Sequence, residues 1–502
     1  MVDWPALFDG INMVSTWSIL FLSILGVILG IVLGMIPGLS ATIGIALMLP
    51  MSYHMDALSV MVLMLGIYTG GLYGGSITAT LINTPGTPGS AFTALEGYPM
   101  NQQGKGLLAL NVGLISSVLG GIIGIIMLFL FLELLSKVAY SLGSAELFMI
   151  AFFALAIIAT ISKESIGKTF FIGSVGIVLA NIGVSPTGFT VGTYGQVYLL
   201  EGIPLIPALI ALFAFPEVFS LIEKNYITSN TDIKQLLRKS FFKEFIAAFK
   251  IVIKHPFTVI RSALIGVFVG MIPAAGASVA SLISYGEAKR ASKEPELFGK
   301  GAKEGLIASE SANNASEGGS LGTAICLGIP GSAATAMMLA ALTLQGIMAG
   351  PKMIRDHKDF IYGIIAVEFV QMFLLLLIGL VIIFVSFRLV LIPAKIIAPC
   401  LVILCLIGAY ANRFTLFDVW LVILLGIIGY FLKKFDYPII ALVLGLLLGD
   451  MLNTELIRVA QINAMDFTVF FKRPISLILF ILTLLTVARS FYIDFKKGSL
   501  KS

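Results

Sequence analysis

Long continuous apolar runs dominate the chain: Ile19–Met35, Leu107–Leu132, Leu147–Ile161, Phe360–Phe387 and Ile475–Val487. Several reach or approach the ~20 residues that an α-helix needs to cross a bilayer. Lipid leaves a spanning backbone two ways to satisfy its own hydrogen bonds, the helix and the closed barrel. A barrel would alternate apolar and polar residues over segments of about ten, whereas these runs are apolar throughout, so helices are expected. Proline and glycine interrupt the pattern at Pro37–Gly38, at Pro85–Gly86 with Pro88–Gly89, at Pro273–Gly276 and at Pro330–Gly331. Membrane helices tolerate such residues for packing and kinks. Here, however, hydroxyl residues follow each break: Ser40 and Thr42, Thr87 and Ser90, Ser278 and Ser281, Ser332 and Thr335. Proline removes a helical hydrogen bond and glycine loosens the helix, so the breaks read as discontinuous or re-entrant helices. The expected fold is an all-α polytopic integral membrane protein with about 10–12 transmembrane helices.

Composition agrees. Hydrophobic residues make up 58% of the 502 and charged residues only 12%, half of the ~25% usual in soluble domains. A water-soluble enzyme, a disordered chain and a nucleic-acid binder are excluded. Cys326, Cys400 and Cys405 are too few for a disulfide framework, and Cys400 and Cys405 read as small packing residues. No basic segment precedes Ile19, so no cleaved secretory signal is expected.

Charge is distributed unevenly. Residues 1–222 carry four basic residues and nine acids; residues 223–502 carry 28 basic residues and 18 acids. No Lys or Arg precedes Lys105, whereas Glu223–Arg261 holds eight. By the positive-inside rule that segment is cytoplasmic and the N-terminus lies outside. Phe241–Lys254 within it reads as an amphipathic helix lying against anionic lipid.

The basic segment also separates two similar halves: a membrane repeat over 1–222, a cytoplasmic linker over 223–258 and a second repeat over 259–502. Gly30–Gly38 (GIVLGMIPG) matches Gly266–Ala274 (GVFVGMIPA), Gly74–Gly75–Ser76 matches Gly318–Gly319–Ser320, and Thr84–Pro85–Gly86 matches Ile329–Pro330–Gly331. The loop at Met51–Asp56 has no Lys or Arg; its counterpart carries Lys289, Arg290, Lys293, Lys300 and Lys303. Equivalent loops of opposite charge signature imply inverted repeats. If Ile19–Pro50 dips in and returns, and five crossings follow before Glu223, Lys163, Lys168, Lys433–Lys434 and the Lys496–Lys501 tail fall inside, and the uncharged Gly183–Tyr194 outside. The same count fails at Lys352–Lys358 and Lys472–Arg473.

Candidate chemistry concentrates in Ser309–Thr323, SESANNASEGGSLGT, where Glu310, Asn313, Asn314 and Glu317 fall on one helical face. The corresponding stretch Met64–Ser76 is apolar apart from hydroxyls. That places the polar face at membrane depth, where such residues are costly and usually functional.

These motifs carry a resemblance. Glu310 through Gly318–Gly319, then Gly328-Ile-Pro330-Gly331-Ser332-Ala-Ala-Thr335, together with Tyr73–Ser76 and Asn83-Thr84-Pro85-Gly86, resemble the large permease subunit of tripartite tricarboxylate transporters, the TctA family. The similarity runs over essentially the whole chain. It departs at Ser185–Pro186 and Val191–Gly195, where family members usually show Asp-Pro and Arg-Phe-Thr-Phe-Gly, which bears on the substrate. The resemblance implies a secondary transporter in the bacterial inner membrane, working with a small membrane subunit and a periplasmic protein that delivers a citrate-like di- or tricarboxylate. A cation gradient would drive it.

Substrate contacts are expected from backbone amides and hydroxyls at the breaks, because no basic residue lies near those of the first half. The first-half candidates are Gly38, Ser40, Gly75, Ser76, Asn83, Thr84, Gly86 and Ser90; the second-half candidates are Gly319, Ser320, Gly331, Ser332 and Thr335. Asn83, Thr84 and Ser90 are expected to work with Ser332 and Thr335 across the repeats. Glu310, Asn313 and Asn314 are the candidate coupling-ion ligands. Their oxygens suit a hard monovalent cation, sodium in preference to a proton, and no other cofactor is expected. A channel would fit the broken helices equally well. A membrane-embedded enzyme is disfavoured, since His54, His255 and His357 allow no HExxH site and there is no DDxxD run; without a Walker A motif the chain cannot energise transport with ATP unaided.

Overall fold

The computed structural model describes residues 3–36, 39–161, 166–185, 187–216, 218–219, 241–389 and 394–499. In chain order the helices are α1 (Trp4–Val14), α2 (Trp17–Gly34), α3 (Ala41–Met48), α4 (Ala57–Ile82), α5 (Ala91–Met100), α6 (Gly106–Ser141), α7 (Ser144–Ile161) and α8 (Ile166–Ala180). A two-residue antiparallel pair, β1 (Gly183–Val184) and β2 (Thr190–Val191), precedes α9 (Leu205–Leu209). The second half continues with α10 (Phe241–Ile253), α11 (Pro256–Gly270), α12 (Gly276–Ala291), α13 (Lys303–Leu327), α14 (Ala333–Leu344), α15 (Pro351–Asp356) and α16 (Lys358–Leu389). The chain ends with α17 (Ala394–Arg413), α18 (Leu416–Lys434), α19 (Ile439–Ile462), α20 (Val469–Lys472) and α21 (Pro474–Ser499).

The five apolar runs fall on α2, α6, α7, α16 and α21. The protein is an all-α polytopic membrane protein. Among the described residues, six helices are long and apolar enough to cross a membrane, or seven if the pair Phe242–Ile253 and Pro256–Gly270, bent by 76°, counts as one span. That is fewer than the expected 10–12: further apolar helices such as Ala333–Leu344 and Leu205–Ala214 are too short to cross a bilayer.

Two compact units cut across the two sequence halves. The first comprises 1–135, 217–271 and 275–402; the second comprises 136–216, 272–274 and 403–502. In the first unit α2 runs parallel to α4 on a stripe of glycines: Gly26 faces Leu63 and Gly66, Gly30 faces Ile67, and Gly34 faces Gly71. Each approach is so close that a Cβ would meet a backbone carbonyl, the small-residue packing that lets membrane helices touch. Past Met35 the chain turns and α3 comes back, Ala41 against Gly71 and Gly44 against Ile67. α2 and α3 therefore form a helical hairpin against α4. Pro37 and Gly38 lie outside the described residues.

In the second half, glycines again bring a shorter helix close to a long one. α11 runs parallel to α13, Gly266 facing Ala312 and Gly270 facing Ser316. α12 then runs back along α13, with Ser281 Oγ donating to Ser309 O at 3.2 Å and Ser284 Oγ to Ala308 O at 2.9 Å. α4 and α13 are antiparallel to each other: Ser76 meets Glu310, Leu72 meets Asn313, and Thr69 meets Glu317.

A buried carboxylate fixes the charged loop between α12 and α13. Glu96 on α5 accepts hydrogen bonds from Tyr285 Oη (2.6 Å) and from the amides of Gly299 (2.6 Å), Gly301 (2.8 Å) and Ala302 (2.7 Å). On α10, Ala248 and Val252 pack inward against Leu306 and Ile307, while Phe242, Phe249 and Ile253 stay exposed. That is the amphipathic split expected of a helix lying along lipid.

In the second unit α8 and α19 pack through glycines, Gly176 against Gly445. At one end of this unit Lys168 Nζ donates to Phe435 O at 2.6 Å and lies 4.7 Å from the centre of the Tyr437 ring. Lys168 therefore shares a face with Lys433 and Lys434; Lys163 lies outside the described residues.

Candidate functional site

Both long central helices, α4 and α13, end in a left-handed residue, after which the chain doubles back. Asn83 (φ 55°) closes α4 and Gly328 (φ 71°) closes α13, the αL cap that frees a helix end to change direction. The same backbone bonds follow in each: Thr84 N donates to Thr78 O and Ile329 N to Thr323 O, both at 3.4 Å. Each chain then returns about two helical turns, roughly 10 Å. In the first half Gly86 N donates to Gly75 O at 3.2 Å. A Cβ on Gly86 would meet Gly34 O and Gly75 Cα; a Cβ on Gly331 would meet Gly270 O and Ser320 Cα. Only glycine fits at these points. The tip of each re-entrant hairpin thus touches the reversal that follows the next long helix.

Hydroxyl residues then start the outgoing helix. Thr87 and Ser90 form a reciprocal capping box, and so do Ser332 and Thr335, with Thr335 N donating to Ser332 Oγ at 3.3 Å and Ser332 N to Thr335 Oγ1 at 3.0 Å. A helix start of this kind carries amides that the helix itself does not use, the usual setting for an anion. Elements of the two halves meet here. Tyr68 Oη on α4 donates to Ser332 Oγ at 3.0 Å, Gly276 lies beside Ser332, and Gly89 faces both Ala277 and Asn313 Oδ1.

The predicted substrate residues divide by position. Gly86, Ser90, Gly331, Ser332 and Thr335 line the reversals, Gly75 and Gly319 are close-packing points beneath them, and Ser40 opens α3. Gly38 lies outside the described residues. Ser76 and Ser320 are engaged internally, donating to Glu310 Oε1 at 2.5 Å and to Gly270 O at 3.1 Å. Asn83 is exposed and Thr84 Oγ1 donates to Ile82 O at 3.2 Å. These two sit at the end of α4, about two turns from the level of Gly75.

The polar face of α13 packs wholly against α4 and its neighbours. Glu310 is fully buried and accepts from Ser76 Oγ, from Thr93 Oγ1 and from Ser117 Oγ at 2.7 Å. A carboxylate and three hydroxyl oxygens form an all-oxygen shell, the donor set of a hard cation. Asn313 Nδ2 donates to Leu72 O at 3.0 Å and Asn314 Nδ2 to Thr69 O at 3.4 Å. Their Oδ1 atoms are buried with no hydrogen-bond partner among the described residues. No Lys, Arg or His pairs with Glu310 among the described residues.

Sequence reasoning missed Thr93 and Ser117, whose place beside Glu310 depends on helices far away in the chain. It also missed Thr69, Tyr68 and Glu368. Glu368 did leave a signal, as the one acid deep inside the run Phe360–Phe387.

A bundle of apolar helices with re-entrant elements and a buried polar centre defines a multi-pass membrane transport protein. The chain belongs to the Tripartite tricarboxylate transporter TctA family, whose model matches residues 20–444. Members of this family are the large subunit of tripartite transporters that also contain a small membrane subunit and a periplasmic binding protein. Two similar proteins come from Agrobacterium vitis. The "Uncharacterized 52.8 kDa protein in TAR-I ttuC' 3'region" is 33% identical over 436 residues, 87% of this chain and 86% of the relative. The "Uncharacterized protein in TAR-II ttuC' 3'region" is 37% identical over 211 residues, 42% of this chain and 87% of the relative. No solved structure matches.

Proposed function

We propose that this chain is the permease subunit of a binding-protein-dependent secondary transporter that imports a di- or tricarboxylate across the bacterial inner membrane, driven by a sodium gradient. A small membrane subunit and a periplasmic solute-binding protein complete the system. The observation that carries this reading is the pair of glycine-lined reversals, opened by hydroxyls and helix-start amides and flanked by the oxygen shell of Glu310. An anion held by amides and hydroxyls at Gly86, Ser90, Gly331, Ser332 and Thr335 needs no arginine. The coupling ion sits at Glu310, Asn313 and Asn314, with Ser76, Thr93 and Ser117 completing its ligands when their hydroxyls turn their lone pairs inward.

The two halves are inverted repeats in this reading. Three relations support it: α2 parallel to α4, α11 parallel to α13, and α4 antiparallel to α13. Reversals with matching bonds, 245 residues apart, add to them. The test is uptake into proteoliposomes holding this chain and the small subunit, with the capture protein and a panel of labelled di- and tricarboxylates. An inward sodium gradient drives accumulation of at least one of them. Uptake indifferent to sodium but abolished by a protonophore overturns the sodium assignment.

A further inference from the structure

α11 presents two opposite faces. Gly266 and Gly270 turn toward α13, where they meet Ala312 and Ser316. Phe257, Arg261, Leu264 and Phe268 stand at i, i+4, i+7 and i+11, one stripe on the other side of the helix. Phe257 is 86% exposed and Phe268 55%. With Ile283 of α12 this stripe walls a groove of 460 Å³ whose lining is apolar except for Arg261. A polar hollow of 360 Å³ adjoins it, sharing Phe257 and Arg261 and adding Thr258, Ser292 and Glu304. Arg261 therefore stands where an apolar groove meets a polar one, about two helical turns, roughly 10 Å, from Phe268.

The guanidinium of Arg261 is only partly used. Its Nε is buried with no hydrogen-bond partner among the described residues. Its Nη1 lies 3.8 Å from Glu287 Oε1, beyond hydrogen-bond range. That carboxylate is already held by Arg290 through two bonds of 2.8 and 2.7 Å. Glu304, the acid of the polar hollow, lies 3.5 Å from His255 Nε2. A buried donor without an acceptor is costly, and a planar guanidinium fork matches a phosphate group. The setting also favours negative charge. α10, with the amphipathic split of a helix lying along lipid, meets α11 at a bend of 76°, and Lys250 and Lys254 are exposed just before that bend. Cations at this level attract acidic headgroups.

We propose that the groove between α11 and α12 holds one anionic phospholipid, its phosphate on Arg261 and an acyl chain along Leu264, Phe268 and Ile283. An apolar wall alone would accept any lipid; the open guanidinium makes this one selective. The bound lipid ties the α10–α11 bend to the helix whose other face packs on α13. The site is separate from the reversals and from the Glu310 shell, and it does not depend on what is transported.

The test titrates purified, delipidated full-length chain in mild detergent with phosphatidylglycerol, phosphatidylcholine or inorganic phosphate, and follows the first molecule bound by native mass spectrometry. Phosphatidylglycerol is expected to bind about tenfold more tightly than phosphatidylcholine, and Arg261→Gln to lose about that factor. Arg261→Lys falls between, because it keeps the charge and loses the fork. Ile283→Trp fills the groove while leaving Arg261 in place; it also weakens phosphatidylglycerol binding, and it serves if the Arg261 variants do not fold. Equal binding of the two lipids, or wild-type binding in Arg261→Gln or in Ile283→Trp, overturns the proposal. Displacement of the lipid by millimolar inorganic phosphate overturns it too, and makes Arg261 a site for free anions.

Discussion

The carbonyl of Gly270 lies where a Cβ on Gly331 would have to go, and the carbonyl of Gly34 stands in the same relation to Gly86. The tip of each re-entrant hairpin is thereby pinned to the chain reversal that follows the long helix beside it. The approach brings backbone dipoles and helix-start amides together inside the protein, close to the buried polar face of α13.

Valine at either glycine has no room. Small-to-large changes in close-packed interiors cost about 1–3 kcal/mol, and here the obstruction is backbone. Gly86→Val and Gly331→Val are expected to abolish uptake while the chain still reaches the membrane, as read by transport assay and membrane immunoblot. Alanine at the same positions is expected to give intermediate loss. Normal transport in both valine variants would make the reversals packing devices only.

Removing donors around Glu310 acts on the ion rather than the carboxylate substrate. Hydrogen bonds to charged groups contribute about 1.5–3 kcal/mol, and each 1.4 kcal/mol is about tenfold in affinity. Ser117→Ala and Thr93→Val are each expected to raise the sodium concentration for half-maximal uptake roughly tenfold, with little change in substrate half-saturation. Glu310→Gln impairs uptake even at saturating substrate. If it behaves like wild type, this face carries no coupling role.

Glu96 is expected to be a stability residue. It gathers four donors, three of them backbone amides of the loop over 299–302. Glutamine turns one acceptor into a donor facing those amides, leaving buried N–H groups without partners at about 1–3 kcal/mol each. Glu96→Gln should lower the unfolding temperature and open this loop to limited proteolysis, with sodium affinity unchanged in whatever fraction remains folded.

Much of this was legible in the sequence because it is local. Apolar runs set α2, α6, α7, α16 and α21; Pro-Gly pairs set the reversals; the spacing of Glu310, Asn313, Asn314 and Glu317 set a shared face. What faces that face was not legible, since Ser117 reaches Glu310 across 193 residues and Leu72 reaches Asn313 across 241. Asn83 carried the motif but serves as a helix cap. Charge counting failed for a related reason: it sees basic residues without their partners. Lys358 is held by Glu133 at 2.9 Å and Asp3 at 3.4 Å, Lys472 by Asp466 at 3.0 Å, and Arg473 by Glu146 at 2.5 Å. Lys358, Lys472 and Arg473, within the clusters that break the parity, are ion-paired.

The inverted-repeat reading carries a topology prediction. α4 and α13 are antiparallel, so in the inverted-repeat reading the loops at their N-terminal ends are expected on opposite faces. Single cysteines at His54 and Lys293, both exposed, in a background with Cys326, Cys400 and Cys405 replaced, are expected to label from opposite sides of the membrane. Labelling of both from one side would contradict inversion.

The central claim is that this chain carries a carboxylate through a gated, ion-coupled cycle. Counterflow tests it most directly. Proteoliposomes with this chain and its small subunit are preloaded with unlabelled di- or tricarboxylate and exposed to label in the presence of sodium and the capture protein. The account predicts trans-stimulated entry of label, which rises transiently above equilibrium and disappears when sodium is omitted. Simple downhill equilibration, with no stimulation by internal carboxylate and no dependence on sodium, would contradict it and leave a channel.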